Sequence, residues 1–210
     1  MKLSSTLSLA AALTVAAQSA PALASAYKVA PEKSQVRWTA TKVTGAHNGT
    51  APVKAGNFEM KDGLVTTGKI EINLAQLKVL DLTNPKYNAD LTGHLKGADF
   101  FSTEKHPTAV FEVEKTTQEG DTQYLEGKLA LKGKSQPVKI PVTVSTVNDS
   151  TVKLAGKAKL DRTLWDIKYR SGKFFPNIGD KMIHDEFEIE FDMLAATDAG
   201  AAAKPLKKKK

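Results

Sequence analysis

Apolar and polar residues alternate one for one along most of this chain, the period of strands with one dry face and one wet face. Val36, Trp38 and Ala40 alternate with Gln35, Arg37, Thr39 and Thr41 to give a first strand, after which Gly45, Asn48 and Gly49 supply turn chemistry. A second strand covers roughly Pro52 to Met60, with Gly56 as a bulge or bend, and Asp62-Gly63 is the strongest hairpin signal in the chain. Ile70, Ile72 and Leu74 mark the dry face of a third strand. Ala109, Phe111 and Val113 mark a fourth, and Leu125, Gly127, Leu129 and Leu131 a fifth. The sixth carries Val138, Ile140, Val142 and Val144, the seventh Val152, Leu154, Gly156, Ala158 and Leu160, and the eighth Phe187, Ile189, Phe191 and Met193. The one helical pattern begins at Asn84, where Pro85 suits a first helical position and Leu91, Leu95 and Ala98 share a face.

Sequential strands with short connections predict an all-β fold, an eight-stranded antiparallel barrel with the helix across one mouth, since closure removes sheet edges. Several strands reach about ten residues, beyond the usual five or six, which favours a barrel over a two-sheet sandwich. An eight-stranded barrel is either filled by its own side chains or just wide enough for one small ligand. The inward set mixes small residues (Ala40, Ala55, Ala109, Gly127, Gly156, Ala158) with Trp38, Phe111, Phe187 and Phe191. That mixture leaves both readings open, a slot or an interdigitated solid core.

Before the strands, Met1 to Ala26 has one charge, at Lys2, then an apolar run and small residues around Ala24 and Ala26. This is the layout of a secretory signal peptide, with an apolar run too short to span a bilayer, and it predicts a periplasmic or secreted protein. The chain has no cysteine, so an exported domain of this kind is held by its core alone. The domain is expected over 27–194, followed by a disordered Ala/Lys-rich tail over 195–210. The net charge of +7 belongs mostly to the tail lysines Lys204 and Lys207 to Lys210, which could make transient contact with anionic membrane lipid. The nearly neutral body gives no case for a nucleic-acid-binding face.

Chemistry is sparse. The four histidines have no metal-ligand spacing, and His184 beside Asp185 and Glu186 has no nucleophile motif to serve. Arg162, Asp166, Lys168, Arg170, Asp180 and Lys181 either flank a polar head group at the barrel mouth or pair with one another and pin the long last connection.

Two spaced motifs carry a resemblance. Leu91, Gly93, His94, Leu95, Lys96, Asp99, Phe100, Phe101, His106, Pro107, Ala109 and Phe111 form the first, and Asp161, Arg162, Trp165, Ile167, Tyr169, Gly179, Asp180, Lys181 and Asp185 the second. Over about Tyr27 to Leu194 the chain resembles the YceI-like family of periplasmic, lipocalin-shaped, polyisoprenoid-binding proteins. One departure is Ala89 before Asp90, where many members carry an arginine, so a head-group role for that arginine does not transfer.

The resemblance implies a lipocalin-like barrel and a carrier, not an enzyme, that holds an isoprenoid of the polyprenol or prenyl-quinone type, or a similar amphipathic lipid, in an apolar cavity. It implies no metal and no cofactor beyond such a lipid or quinone. Cavity candidates are Trp38, Ala40, Ile72, Phe111, Val113, Leu129, Ile140, Val142, Leu154, Gly156, Ala158, Phe187, Ile189 and Phe191. Mouth or head-group candidates are His94, Arg162, Trp165, Tyr169, Asp180 and Lys181. The alternative is a structural or stress-protective partner-binding domain with a solid barrel core; a hydrolytic enzyme comes third. Oligomeric state is not legible.

Overall fold

The computed structural model describes residues 24–197. Its strands are β1 (Ser25–Val29), β2 (Gln35–Lys42), β3 (Gly45–Ala51), β4 (Val53–Lys61), β5 (Leu64–Asn73), β6 (Lys78–Val79), β7 (Thr108–Glu119), β8 (Thr122–Leu131), β9 (Lys134–Asn148), β10 (Thr151–Asp161) and β11 (Ile183–Ala196). The single α-helix, α1, spans Pro85–Lys96.

These eleven segments make eight staves, because three staves are broken. A 3₁₀ turn at Pro31–Lys33 separates β1 from β2, Pro52 separates β3 from β4, and a 3₁₀ turn at Leu74–Gln76 separates β5 from β6. Neighbouring staves pair antiparallel around the ring, and β11 closes it by pairing with β2 along most of its length and with β1 at Lys28↔Ala196 and Val29↔Ala195. The eight-stranded antiparallel barrel is thus what the alternation predicts, and no sheet edge runs its full length.

Three local expectations change. Gly45 to Ala51 is a strand rather than a turn, and a Cβ on Gly49 would lie 2.6 Å from the Trp38 ring, so this glycine admits a close approach between staves. In β4 the pairing shifts between Val53 and Ala55, which turns Ala55 out to solvent and brings Gly56 and Phe58 inward. Ala98 lies beyond the helix, which stops at Lys96 with Gly97 as its cap.

Asp62 and Gly63 both adopt positive φ (52° and 80°), the mirror-image turn whose twist matches that of the strands it joins. Asn84 caps α1 by accepting from the Lys86 and Tyr87 amides at 3.0 and 3.3 Å. Asn88 ties the helix down, its Nδ2 donating to the carbonyls of Val79 and Leu82 at 3.0 Å each. Only Leu95 of α1 is fully buried, so tethers and the cap, more than a wide apolar face, hold the helix over the barrel.

The last strand runs past the expected domain end at Leu194. Ala195 is 0% exposed and paired with both Val152 and Val29, and the Thr197 amide donates to the Ser150 carbonyl at 2.9 Å. A chain ending at Leu194 is therefore expected to lose about 1 to 3 kcal/mol, whereas one ending at Thr197 keeps full stability. Denaturant midpoints of the two truncations check this, and equal midpoints would show that barrel closure at Ala195 contributes nothing. Residues 1–23 of the expected leader and 198–210 of the expected tail lie outside the described residues, whereas Ser25 and Ala26 belong to β1.

Candidate functional site: an apolar cavity under the cap

The interior divides into two apolar clusters. In the first, Val113, Ile140, Val142, Leu154, Ala158 and Phe191 interdigitate with Val29, Phe58 and Met193. The second lies at the capped end, where Leu95 of α1, Phe100, Trp165 and Ile167 close over Leu74, Leu77, Leu129, Leu131 and Leu160.

A cavity opens at the second cluster. A cavity of about 140 Å³ is walled by Val36, Trp38 and Ala40 of β2, Ile72 of β5, and Leu74 and Leu77 beyond it. Leu129, Leu160, Phe187 and Ile189 supply further wall from later staves, and the ceiling comes from Leu95, Phe100 and Phe101.

 Nearly all of this wall is hydrocarbon, as a site for an apolar guest requires.

Six of the cavity candidates line this cavity, Trp38, Ala40, Ile72, Leu129, Phe187 and Ile189, and the mouth candidate Arg162 also lies in its wall. Phe111 packs between the two clusters. Val113, Ile140, Val142, Leu154, Ala158 and Phe191 lie instead in the filled half, and a Cβ on Gly156 would meet Phe191 Cζ at 2.5 Å. Each of the two readings left open by the inward set describes one end: side chains interdigitate around Gly156 and Ala158, and the cavity lies beneath the helix. Leu95, Phe100 and Phe101 were missing from the sequence-derived wall, although a helix placed across a mouth implies that its apolar face forms a ceiling.

The mouth candidates separate just as clearly. Arg162 is buried, and its guanidinium donates to the carbonyls of Ile167 (2.8 Å), Tyr169 (2.9 Å), Ile183 (3.0 Å) and His184 (3.1 Å) and to Asp185 Oδ1 (3.3 Å). Those five bonds match the five N–H groups of arginine, so none remains for a ligand head group. Burial lowers the Arg162 pKa from its usual value, and Asp185 and Asp161 oppose that shift. Arg162 is the pin of the long connection. Trp165 is a second pin, 0% exposed, with Nε1 donating to the Leu129 carbonyl at 2.8 Å.

His94 and Tyr169 are brought together from distant parts of the chain, their rings edge to face with centroids 4.6 Å apart. His94 also meets the edge of Phe100 at 5.0 Å and pairs with Asp99 Oδ2 at 3.0 Å. This cluster joins the segment after the helix to the long connection. Asp180 and Lys181 sit exposed on a 3₁₀ turn, Gly179–Lys181, and neither belongs to the cavity wall. The other described histidine pairs are separate, His47 with Asp81 at 2.7 Å and His184 Nδ1 with Thr41 Oγ1 at 2.7 Å.

A closed antiparallel barrel, capped by one helix over an apolar cavity, defines a lipocalin-shaped class of protein. The chain matches the YceI-like domain over residues 27–195, and it belongs to that family. Among curated relatives, a UPF0312 protein of Pseudomonas aeruginosa is 33% identical over 87 residues, which cover 40% of this chain and 46% of that protein. The chain thus spans about half the length of the curated relatives it matches. Among solved structures, BcnA of Burkholderia cenocepacia superposes with a TM-score of 0.61 at 23% identity, covering 80% of this chain and 99% of that one. A polyisoprenoid binding domain from Saccharophagus degradans, implicated in plant cell wall breakdown, superposes at 0.59 with 11% identity, covering 82% and 99%. Both share the fold of this chain.

Proposed function

We propose that this protein is an exported carrier that holds the chain of an isoprenoid or similar amphipathic lipid in its barrel and does no chemistry on it. The observation that carries this reading is the cavity wall, which is almost entirely hydrocarbon, with the guanidinium of the lining residue Arg162 saturated by internal acceptors. The binding named for the Saccharophagus degradans domain supports it as an analogy of fold. Export rests on the leader pattern of Met1 to Ala26.

The cavity volume sets a condition on this function. At about 140 Å³, it matches the roughly 150 Å³ engineered cavity that accepts one benzene. Useful affinity asks for more: at roughly 0.8 kcal/mol per buried methylene, about ten methylenes give ~8 kcal/mol, the scale of a micromolar complex. A long chain therefore requires the ceiling of Leu95, Phe100 and Phe101 to move outward. Extraction of the purified protein into organic solvent, followed by mass spectrometry, is expected to recover a stoichiometric apolar lipid. Repeated recovery of lipid-free protein that also ignores added polyprenol would overturn the proposal.

Trp38 offers a way to distinguish ligands with a polar end. It lines the cavity, and its indole Nε1 is buried with no acceptor among the described residues. An unsatisfied buried donor costs about 1 to 3 kcal/mol, so Trp38→Phe is expected to leave the unloaded protein as stable or more stable. A ligand with an acceptor in reach of that N–H is expected to bind more weakly to the variant. Parallel titrations with a polyprenol and with a hydrocarbon of equal length measure the difference. Equal losses for both would show that the indole contributes shape alone.

A further inference from the structure

The connection between β10 and β11 presents two adjacent aromatic rings outward. Phe174 is 40% exposed and Phe175 is 49% exposed. Around them, residues 168–181 carry Lys168, Arg170, Lys173 and Lys181 against one acidic residue, Asp180. Lys168 Nζ lies 4.8 Å and Lys173 Nζ 5.8 Å from the centre of the Phe174 ring. Lys168 is also neutralised by Asp166 at 2.6 Å, whereas Arg170, Lys173 and Lys181 form no ion pair among the described residues.

This loop adjoins a weak place in the barrel wall. Between the pairs Ile183↔Lys42 and Phe187↔Ala40, three residues of β11 lie opposite the single Thr41 of β2, so the ladder is interrupted. Outside that gap, an open groove of about 590 Å³ is lined by Gly172 and Lys173 of the loop and by Met182. The groove shares Ile183, His184 and Phe187 with the inner cavity, and these three side chains form the partition between the two.

We propose that the loop from Lys168 to Lys181 docks on an anionic phospholipid bilayer, placing the β2–β11 gap against the membrane. Phe174 and Phe175 enter the acyl boundary while Arg170, Lys173 and Lys181 meet the phosphates. A membrane fits better than a protein partner because the loop that carries the exposed rings and cations also supplies Gly172 and Lys173 to a groove that only Ile183, His184 and Phe187 separate from the apolar cavity. A carrier of water-insoluble lipid needs such contact, and in this respect the docking rests on the carrier reading.

The test uses the full chain and sedimentation with phosphatidylglycerol–phosphatidylcholine vesicles, with pure phosphatidylcholine vesicles as the control. The parent is expected to bind the anionic vesicles more strongly, with added salt weakening the attachment. Phe174→Ser with Phe175→Ser is expected to reduce partitioning about tenfold or more. Lys173→Glu with Lys181→Glu is expected to abolish the preference for anionic lipid. Vesicle binding unaffected by both pairs overturns the proposal, as does binding lost only when Lys207 to Lys210 are replaced by serine. Polyprenol uptake from detergent micelles separates this outcome from the carrier reading. Uptake with no effect of the loop variants on vesicles defeats the docking alone, and loop-dependent vesicle binding without uptake defeats the carrier reading alone.

Discussion

Arg162→Leu is expected to cost the domain on the order of 3 to 5 kcal/mol, the scale seen when one member of a buried charged pair is removed. The leucine is apolar and shorter in reach, and it leaves the carbonyls of Ile167, Tyr169, Ile183 and His184 without their donor, together with Asp185. These acceptors belong to two segments otherwise joined by the Ile183 amide donating to the Arg170 carbonyl at 2.9 Å and the Ser171↔Ile183 bridge, so the connection is expected to loosen from the start of β11. Arg162→Lys retains the charge but supplies three donors for five acceptors, and an intermediate loss is expected. Urea unfolding of the two variants measures both effects. A leucine variant of parental stability would mean that water replaces the guanidinium at this site.

Ala40→Phe is expected to eliminate lipid binding while leaving the protein about as stable as the parent, and Ala158→Phe is expected to do the reverse. Ala40 lies opposite Phe187 in the ladder and lines the hollow end, where an added ring has a cavity of nearly benzene size to enter. Ala158 is buried in the cluster with Leu154 and Phe191, where overpacking costs roughly 1 to 3 kcal/mol or more. Denaturant unfolding and polyprenol titration on both variants give four measurements. Destabilisation by Ala40→Phe with binding intact would sink the cavity as the ligand site and favour a barrel that works through its outer surface.

Much of the architecture was legible because it depends on local chemistry. Period-2 alternation identified seven of the eight staves by their inward residues, Asp62-Gly63 identified a hairpin, and Asn84 with Pro85 identified the start of α1. Gly45 to Ala51 was misread because glycine and asparagine normally signal turns, whereas Gly49 admits the close approach of the Lys78 carbonyl and the Trp38 ring. The end of the domain was misplaced because Ala195 and Ala196 resemble the alanine-rich tail in composition, and only their partners across the ladder mark them as strand.

The candidate site was legible in part, for a reason that concerns register. Trp38, Ala40, Phe187 and Ile189 could be assigned to the inside from alternation alone, but not to the hollow end rather than the solid one. That distinction depends on which side chains meet across the ring, and the shifts between Val53 and Ala55 and between Ile183 and Phe187 change those meetings without altering composition. The sequence by itself determined an alternating chain that closes into a barrel beneath one helix. Tertiary structure alone decided where the barrel is hollow and that Arg162 is spent on backbone carbonyls, because volume and hydrogen-bond satisfaction are set by neighbours distant in the chain.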